Sequence, residues 1–189
     1  MLDNKLIKNR IWMVALIVII SGISAGLLTA INLGTRDRIA LNKEIKLKRS
    51  VLNVFDIEYS AEEIFDVFSG RIKHQKIKEG IVYLYHYNGK LSGLAFEANG
   101  PGFWGPISFL VALDPRLDTV QGIEILHQEE TPGLGGRIAE DEFKEQFKGR
   151  RTRPEIAVDA ITGATMTSKA FKEIINESTR SFREDYESR

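Results

Sequence analysis

The chain has 189 residues, enough for one ordinary domain and an appendage. Its 26 Lys and Arg balance 26 Asp and Glu, with the two signs interleaved, so no bulk field argues for nucleic acid. The absence of cysteine excludes disulfides, Cys-ligated zinc, iron–sulfur clusters and thiol catalysis.

Ile11 to Leu33 carries no charged side chain, and its roughly 23 residues are long enough to cross a hydrocarbon core of about 30 Å as a helix. A cleaved signal has a shorter apolar core, so the segment reads as an uncleaved single-pass anchor behind a ten-residue N-tail (1–10). Trp12 marks one interface. Gly22, Ser24, Gly26 and Ala30 place small residues near one face, where another membrane helix can pack. Charge leaves the orientation open. Lys5, Lys8 and Arg10 precede the span, while Arg36, Arg38, Lys43, Lys46, Lys48 and Arg49 follow it. A bare count puts the C-terminal side in the cytoplasm, but the rule weakens for long translocated domains.

Arg36 to Phe55 reads as a helix within a connecting segment, 34–58. Residues 59–189 read as one α+β domain, an antiparallel sheet meander flanked by helices. Ser60 to Phe68 predicts a short helix, with Ser60 and Glu63 as a capping box and Gly70 as its stop. Ile81–Tyr87 and Leu91–Ala98 are β-rich and joined by Asn88-Gly89, a hairpin turn. Ile107–Leu113 and Thr119–His127 supply two more strands. Ile138–Phe147 predicts an amphipathic helix, Ile156–Ala160 a short strand, and Thr167–Tyr186 the final helix with Ala170, Phe171, Ile174 and Ile175 inward.

Three segments between these elements carry chemistry. Asp159-Ala-Ile-Thr162-Gly163-Ala164-Thr165-Met-Thr167-Ser168 sets hydroxyls and small residues before a helix. Such a run caps a helix, and free N–H groups there attract phosphate. Thr167 and Ser168 are the expected caps. Asn99-Gly-Pro-Gly102-Phe103-Trp104-Gly-Pro106 is a shaped loop whose two aromatics either fill the core or face a ligand. In His127-Gln-Glu-Glu130-Thr131-Pro132-Gly133-Leu134-Gly135-Gly136, glycines free backbone N–H groups to meet an anion or a carbonyl, or simply build a turn. Glu130 either ties down this loop or acts electrostatically on a ligand, and the first is favoured. His127 is read as structural or exposed, and Lys169 as a solvated helix lysine. No spacing of His74, His86 and His127 indicates a metal site. Neither a dinucleotide loop, a Walker lysine loop nor a Ser-His-Asp arrangement occurs.

Asp-x-x-Thr-Gly-Ala-Thr (159–165) resembles the flavin-attachment signature of the FMN-binding domains in RnfG and NqrC subunits of membrane redox pumps. Glu-Thr-Pro-Gly-Leu-Gly (130–135) and Gly-Phe-Trp (102–104) resemble two further segments of that family, in the same order behind an N-terminal anchor. The resemblance implies FMN esterified through its phosphate to Thr165 by a flavin transferase that draws on FAD. It implies flavin contacts from Thr162, Gly163, Ala164, Thr167, Ser168, Trp104, Glu130, Thr131, Gly133, Leu134 and Gly135. It places Asp159 in shaping the attachment loop or in transferase recognition, with no catalytic residue and no metal.

The resemblance also implies an electron-relay subunit of an ion-translocating ferredoxin:NAD+ oxidoreductase, with no turnover of its own. Its partners would be the other membrane subunits, especially a neighbouring flavin-carrying one, and membrane lipid, with no nucleic acid. The flavin domain would lie on the extracytoplasmic side of the cytoplasmic membrane. The alternatives are an NqrC-type subunit of a sodium-pumping NADH:quinone oxidoreductase, a flavoprotein reductase acting alone, and a non-redox anchored binding module.

Overall fold

The computed structural model describes residues 4–78 and 80–188. Residues 1–3 of the expected N-tail lie outside them. Helix α1 runs unbroken over Asn4–Val54, so the expected anchor and connector are one helix. The chain divides into two compact units, Met1–Glu44 and Ile45–Arg189, and the division falls inside the segment read as a connector. In the first unit the helix is long and apolar enough to cross a membrane, and its apolar side chains between Ile11 and Leu33 are exposed.

The second unit is built on five antiparallel strands in sequence order: β1 (Ile72–Ile77), β2 (Gly80–Tyr87), β3 (Lys90–Pro101), β4 (Pro106–Leu113) and β5 (Val120–His127). The predicted meander is present with one strand more than expected. β1 escaped notice because Lys73, His74, Gln75 and Lys76 are all exposed, and only its end residues, Ile72 and Ile77, are buried. It is an edge strand without alternation to read. The hairpin at Asn88-Gly89 forms as expected, with φ of 51° and 75°, values that Asn and Gly tolerate best.

Both faces of the sheet are covered, which explains the continuous apolar run in β4. Phe109, Val111 and Leu113 join Phe96 and Ala98 of β3 in a core shared with α4 (Thr165–Glu187). There Phe96 stacks on Phe182 at 4.1 Å and Phe109 on Phe171 at 4.2 Å. On the other face, Leu110 and Ala112 with Ala95 and Tyr83 meet Val51, Leu52, Val54, Phe55 and Ile57, and also Ile64 and Phe68 of α2 (Ile64–Arg71).

Several local expectations are corrected. Ser60 Oγ does donate to Glu63 Oε2 at 2.7 Å, but the helix starts only at Ile64 and runs through Gly70 to Arg71. The single helix expected over Ile138–Phe147 is a 3₁₀ turn (Gly135–Ala139) followed by the short α3 (Asp141–Glu145); Phe143 of α3 and Phe147 in the turn after it pack against Phe171. Ile156–Ala160 is not a strand. Its backbone is held by side chains instead: Asn176 brackets Ile156 through both amide atoms, and Gln146 Oε1 accepts the Asp159 N–H at 2.6 Å.

Candidate functional site

Helix α4 begins at Thr165, two residues earlier than expected, and Ala164 at its N-cap offers no side-chain hydrogen bond. The first turn of a helix leaves its N–H groups without intrahelical partners. Thr165 is exposed at this start, after Gly163, whose φ of +83° makes the turn into the helix. Thr167 and Ser168 are not caps. They sit inside the helix, 3% exposed each, and bond inward. Ser168 Oγ donates to the Ala164 carbonyl and accepts the Ile161 N–H, both at 3.0 Å, which closes the 159–165 loop onto the helix.

Thr167 Oγ1 donates to Glu130 Oε2 at 2.7 Å. Glu130 is 4% exposed, and its other oxygen, Oε1, accepts the N–H groups of Phe103 at 2.7 Å and Trp104 at 3.0 Å. One buried carboxylate thus joins three segments far apart in sequence. Burial pushes its pKa up, but the hydrogen bonds from Thr167, Trp104, Phe103 and Gly105 outweigh that, so the group lies below the ordinary carboxylate value and stays charged. Tying down the loop, the favoured expectation for Glu130, is what these bonds do.

The 130–136 loop is compact. The Thr131 carbonyl accepts N–H groups from Leu134 at 3.1 Å and Gly136 at 2.9 Å. Gly135 is packed so tightly that a Cβ there would lie 2.5 Å from Thr167 Oγ1 and 2.7 Å from Glu130 Oε2.

These segments enclose a cleft of about 300 Å3 beside Thr165. It brings together nine of the residues expected from sequence: Trp104, Glu130, Thr131, Leu134, Gly135, Gly163, Ala164, Thr165 and Thr167. Thr162, Gly133 and Ser168 do not line it. Phe103, which the sequence left open between core and ligand, lines it too, as does Met166, which sequence reasoning left out. Met166 had a signal: an apolar residue directly after Thr165, at an uncapped helix start. Phe103, Trp104, Leu134 and Met166 are 52%, 69%, 47% and 56% exposed, and the first two meet edge to face at 5.3 Å. A cluster of large apolar groups left open around a hydroxyl marks a ligand face. A larger cavity of about 650 Å3, between α4 and strands β2 and β3, is lined by Asn99, Gly100 and Pro101 but by none of the residues expected to hold a cofactor.

Asp159 stands apart from the cleft. Its carboxylate takes a 2.6 Å bond from Arg150 Nη2, so it fixes the base of the 159–165 loop. His127 is exposed and pairs with Glu129 at 3.2 Å, and Lys169 is exposed, 3.9 Å from Glu173.

An aromatic-walled cleft, an open helix start and an exposed threonine suit a flavin bearing a phosphate, and residues 102–180 match the family described as FMN-binding domain. Over 183 residues the chain is 30% identical to the G subunit of the ion-translocating oxidoreductase complex of Haemophilus influenzae (strain PittEE), covering 86% of each. It belongs to the family of RnfG-type subunits, whose FMN-binding domain is shared with NqrC.

It is also 30% identical over 112 residues to the C subunit of the Na(+)-translocating NADH-quinone reductase of Vibrio vulnificus (strain YJ016), spanning 50% of this chain but only 44% of that protein. The crystal structure of Shewanella oneidensis NqrC superposes with a TM-score of 0.66 at 20% identity, over 74% of this chain and 93% of that one, so the sheet-and-helix fold is the same. FMN fits the residues present. Thr165 is exposed, the helix start has no side-chain cap and can meet a phosphate, and the large apolar groups beside it suit a tricyclic ring.

Proposed function

We propose that this chain is a membrane-anchored electron-relay subunit of an RnfG-type ion-translocating oxidoreductase, carrying FMN through a phosphoester on Thr165. The observation that carries the reading is the exposed Thr165 at an uncapped helix start, beside a cleft walled by Phe103, Trp104, Leu134 and Met166. FMN, when bound, supplies reversible uptake and release of single electrons, and the protein supplies attachment and surroundings.

Each residue has a distinct task. Thr165 Oγ1 provides the ester oxygen. The linkage is made by a flavin transferase from FAD: the Thr165 oxygen–phosphorus bond forms, the pyrophosphate bond breaks, AMP leaves and the hydroxyl proton is lost. Gly163 keeps the approach to Thr165 clear. Trp104, Phe103 and Leu134 exclude water from one side of the ring. Glu130 does not need to touch the flavin. It holds the Trp104 loop, the Thr131 loop and α4 in register, and Asp159 holds the attachment loop to Arg150.

Covalent attachment removes the dissociation equilibrium, which suits a cofactor facing dilute external fluid on the extracytoplasmic side, the side the family resemblance implies. The α1 anchor and neighbouring membrane subunits would set the distance over which electrons move. The RnfG-type assignment is favoured over the NqrC type because the match to the Haemophilus protein runs over 86% of both chains, whereas the match to the Vibrio protein spans 44% of that protein.

The test is to produce the full chain together with a flavin transferase and measure intact mass and absorption after acid denaturation. Wild type and Thr165→Ser are expected to carry one acid-stable FMN, and Thr165→Ala none. Acid-stable flavin on Thr165→Ala would sink the assignment.

A further inference from the structure

A second polar cavity, of about 250 Å3, lies along the last turns of α4 and shares no residue with the flavin cleft. Counted along the helix, it begins at Asn176, about 16 Å from Thr165 at 1.5 Å per residue. Its centre is Arg183, only 7% exposed. A guanidinium has five N–H donors. Here Nη1 reaches Thr152 Oγ1 at 3.3 Å and Nη2 reaches Glu187 Oε1 at 3.4 Å, both long for a charged donor. Nε has no hydrogen-bond partner, and neither has Oγ1 of Thr179, which is 2% exposed and lines the same cavity. Buried polar groups are normally satisfied, and a buried cation especially so.

Two more arginines line the cavity. Arg153 is exposed, and its Nη2 meets the same Glu187 oxygen at 3.3 Å. Arg180 is exposed and has no hydrogen bond or ion pair among the described residues. Glu184 also lines the cavity, so three cations face two carboxylates. The Glu187 carboxylate is held loosely between two guanidinium groups in the final turn of the helix, as an internal oxyanion. Arginine forks pair best with a planar carboxylate or with phosphate.

We propose that this cavity is a phosphate-group site, in which an oxyanion enters between Arg153, Arg180 and Arg183 and displaces the Glu187 carboxylate. The incoming oxygens give Arg183 the acceptors it lacks. Two sources share this chemistry, free inorganic phosphate and the headgroup of an anionic phospholipid.

The test uses the full chain in an uncharged detergent. Thermal midpoints are measured against inorganic phosphate, and separately against dihexanoyl phosphatidate, with sodium chloride at matched ionic strength as the reference. A ligand of the folded state raises the midpoint. Phosphate alone raising it identifies a free-ion site, and the lipid alone raising it identifies a headgroup site. Arg180→Gln is expected to weaken binding about tenfold, the loss of one charge-assisted contact. Glu187→Gln is expected to tighten it, because the internal competitor is gone, and that opposite sign guards against a variant that merely unfolds. The proposal is overturned if neither anion moves the midpoint, or if Arg180→Gln and Glu187→Gln leave the shift unchanged.

Discussion

The Thr167 hydroxyl donates to the Glu130 carboxylate at 2.7 Å, in a position where neither group reaches solvent. Through this bond the helix that begins at Thr165 is held by a loop 37 residues earlier in the chain. Glu130 holds the aromatic loop with its other oxygen, so the cleft beside Thr165 depends on one carboxylate.

Glu130→Gln should therefore loosen the whole site. A glutamine keeps the volume but replaces one acceptor oxygen with an NH2 donor and removes the charge. Loss of charge-assisted bonds in a buried place costs about 2 kcal/mol or more. Chemical denaturation of the variant should show that loss, together with reduced covalent flavin. Unchanged stability would mean that the three segments are held by something else.

Acid should act through the same group. The Glu130 pKa is lowered in the folded state, so its contribution is fully present above the unfolded value, with 4.5 as reference. It is lost as pH falls through the lower folded value. Stability measured from pH 6 downward should decline for wild type in the acid range, and the decline should be shallower in Glu130→Gln. Parallel curves for the two proteins would contradict the assignment.

Gly135→Ala should be more harmful than an alanine usually is in a loop. Its methyl would sit 2.5 Å from Thr167 Oγ1 and 2.7 Å from Glu130 Oε2, so the bond between them has to break or shift. Overpacking of this kind costs about 1–3 kcal/mol. The expected readout is a lower unfolding midpoint and poor flavin loading. Gly133→Ala is the useful contrast: it has open space around it but a φ of +75°, so any cost there is backbone strain rather than collision with the carboxylate.

Trp104→Ala should separate stability from function. The ring is 69% exposed, so its removal should change folding by no more than about 0.5 kcal/mol. Flavin attached at Thr165 should still be present by mass, but its fluorescence should rise as an aromatic neighbour is lost. Unaltered fluorescence would mean that Trp104 does not face the ring.

How much of this was legible follows from the range of the forces involved. The Asn88-Gly89 turn, the apolar run of β4 and the long apolar start of α1 depend on neighbours in sequence, and the bare chain was enough to read them. The FMN-binding family was likewise legible, because residues 159–165 form a short contiguous pattern within the matched segment. β1 was not, since an edge strand with four exposed polar residues has no local signature. The helix start was misread for a related reason. Thr167 and Ser168 are good capping residues in isolation, but their hydroxyls are claimed by Glu130 and by the Ile161–Ala164 turn.

Sequence alone determined the long apolar helix, the four central strands of the meander and the FMN-binding family, because each is written in local periodicity or in a contiguous motif. Tertiary structure alone decided that Glu130 joins three segments, that Phe103 and Met166 complete the cleft, and that an under-satisfied Arg183 lies near the far end of α4. Those facts rest on which side chains meet across long stretches of chain, and on which polar groups the completed packing leaves without a partner.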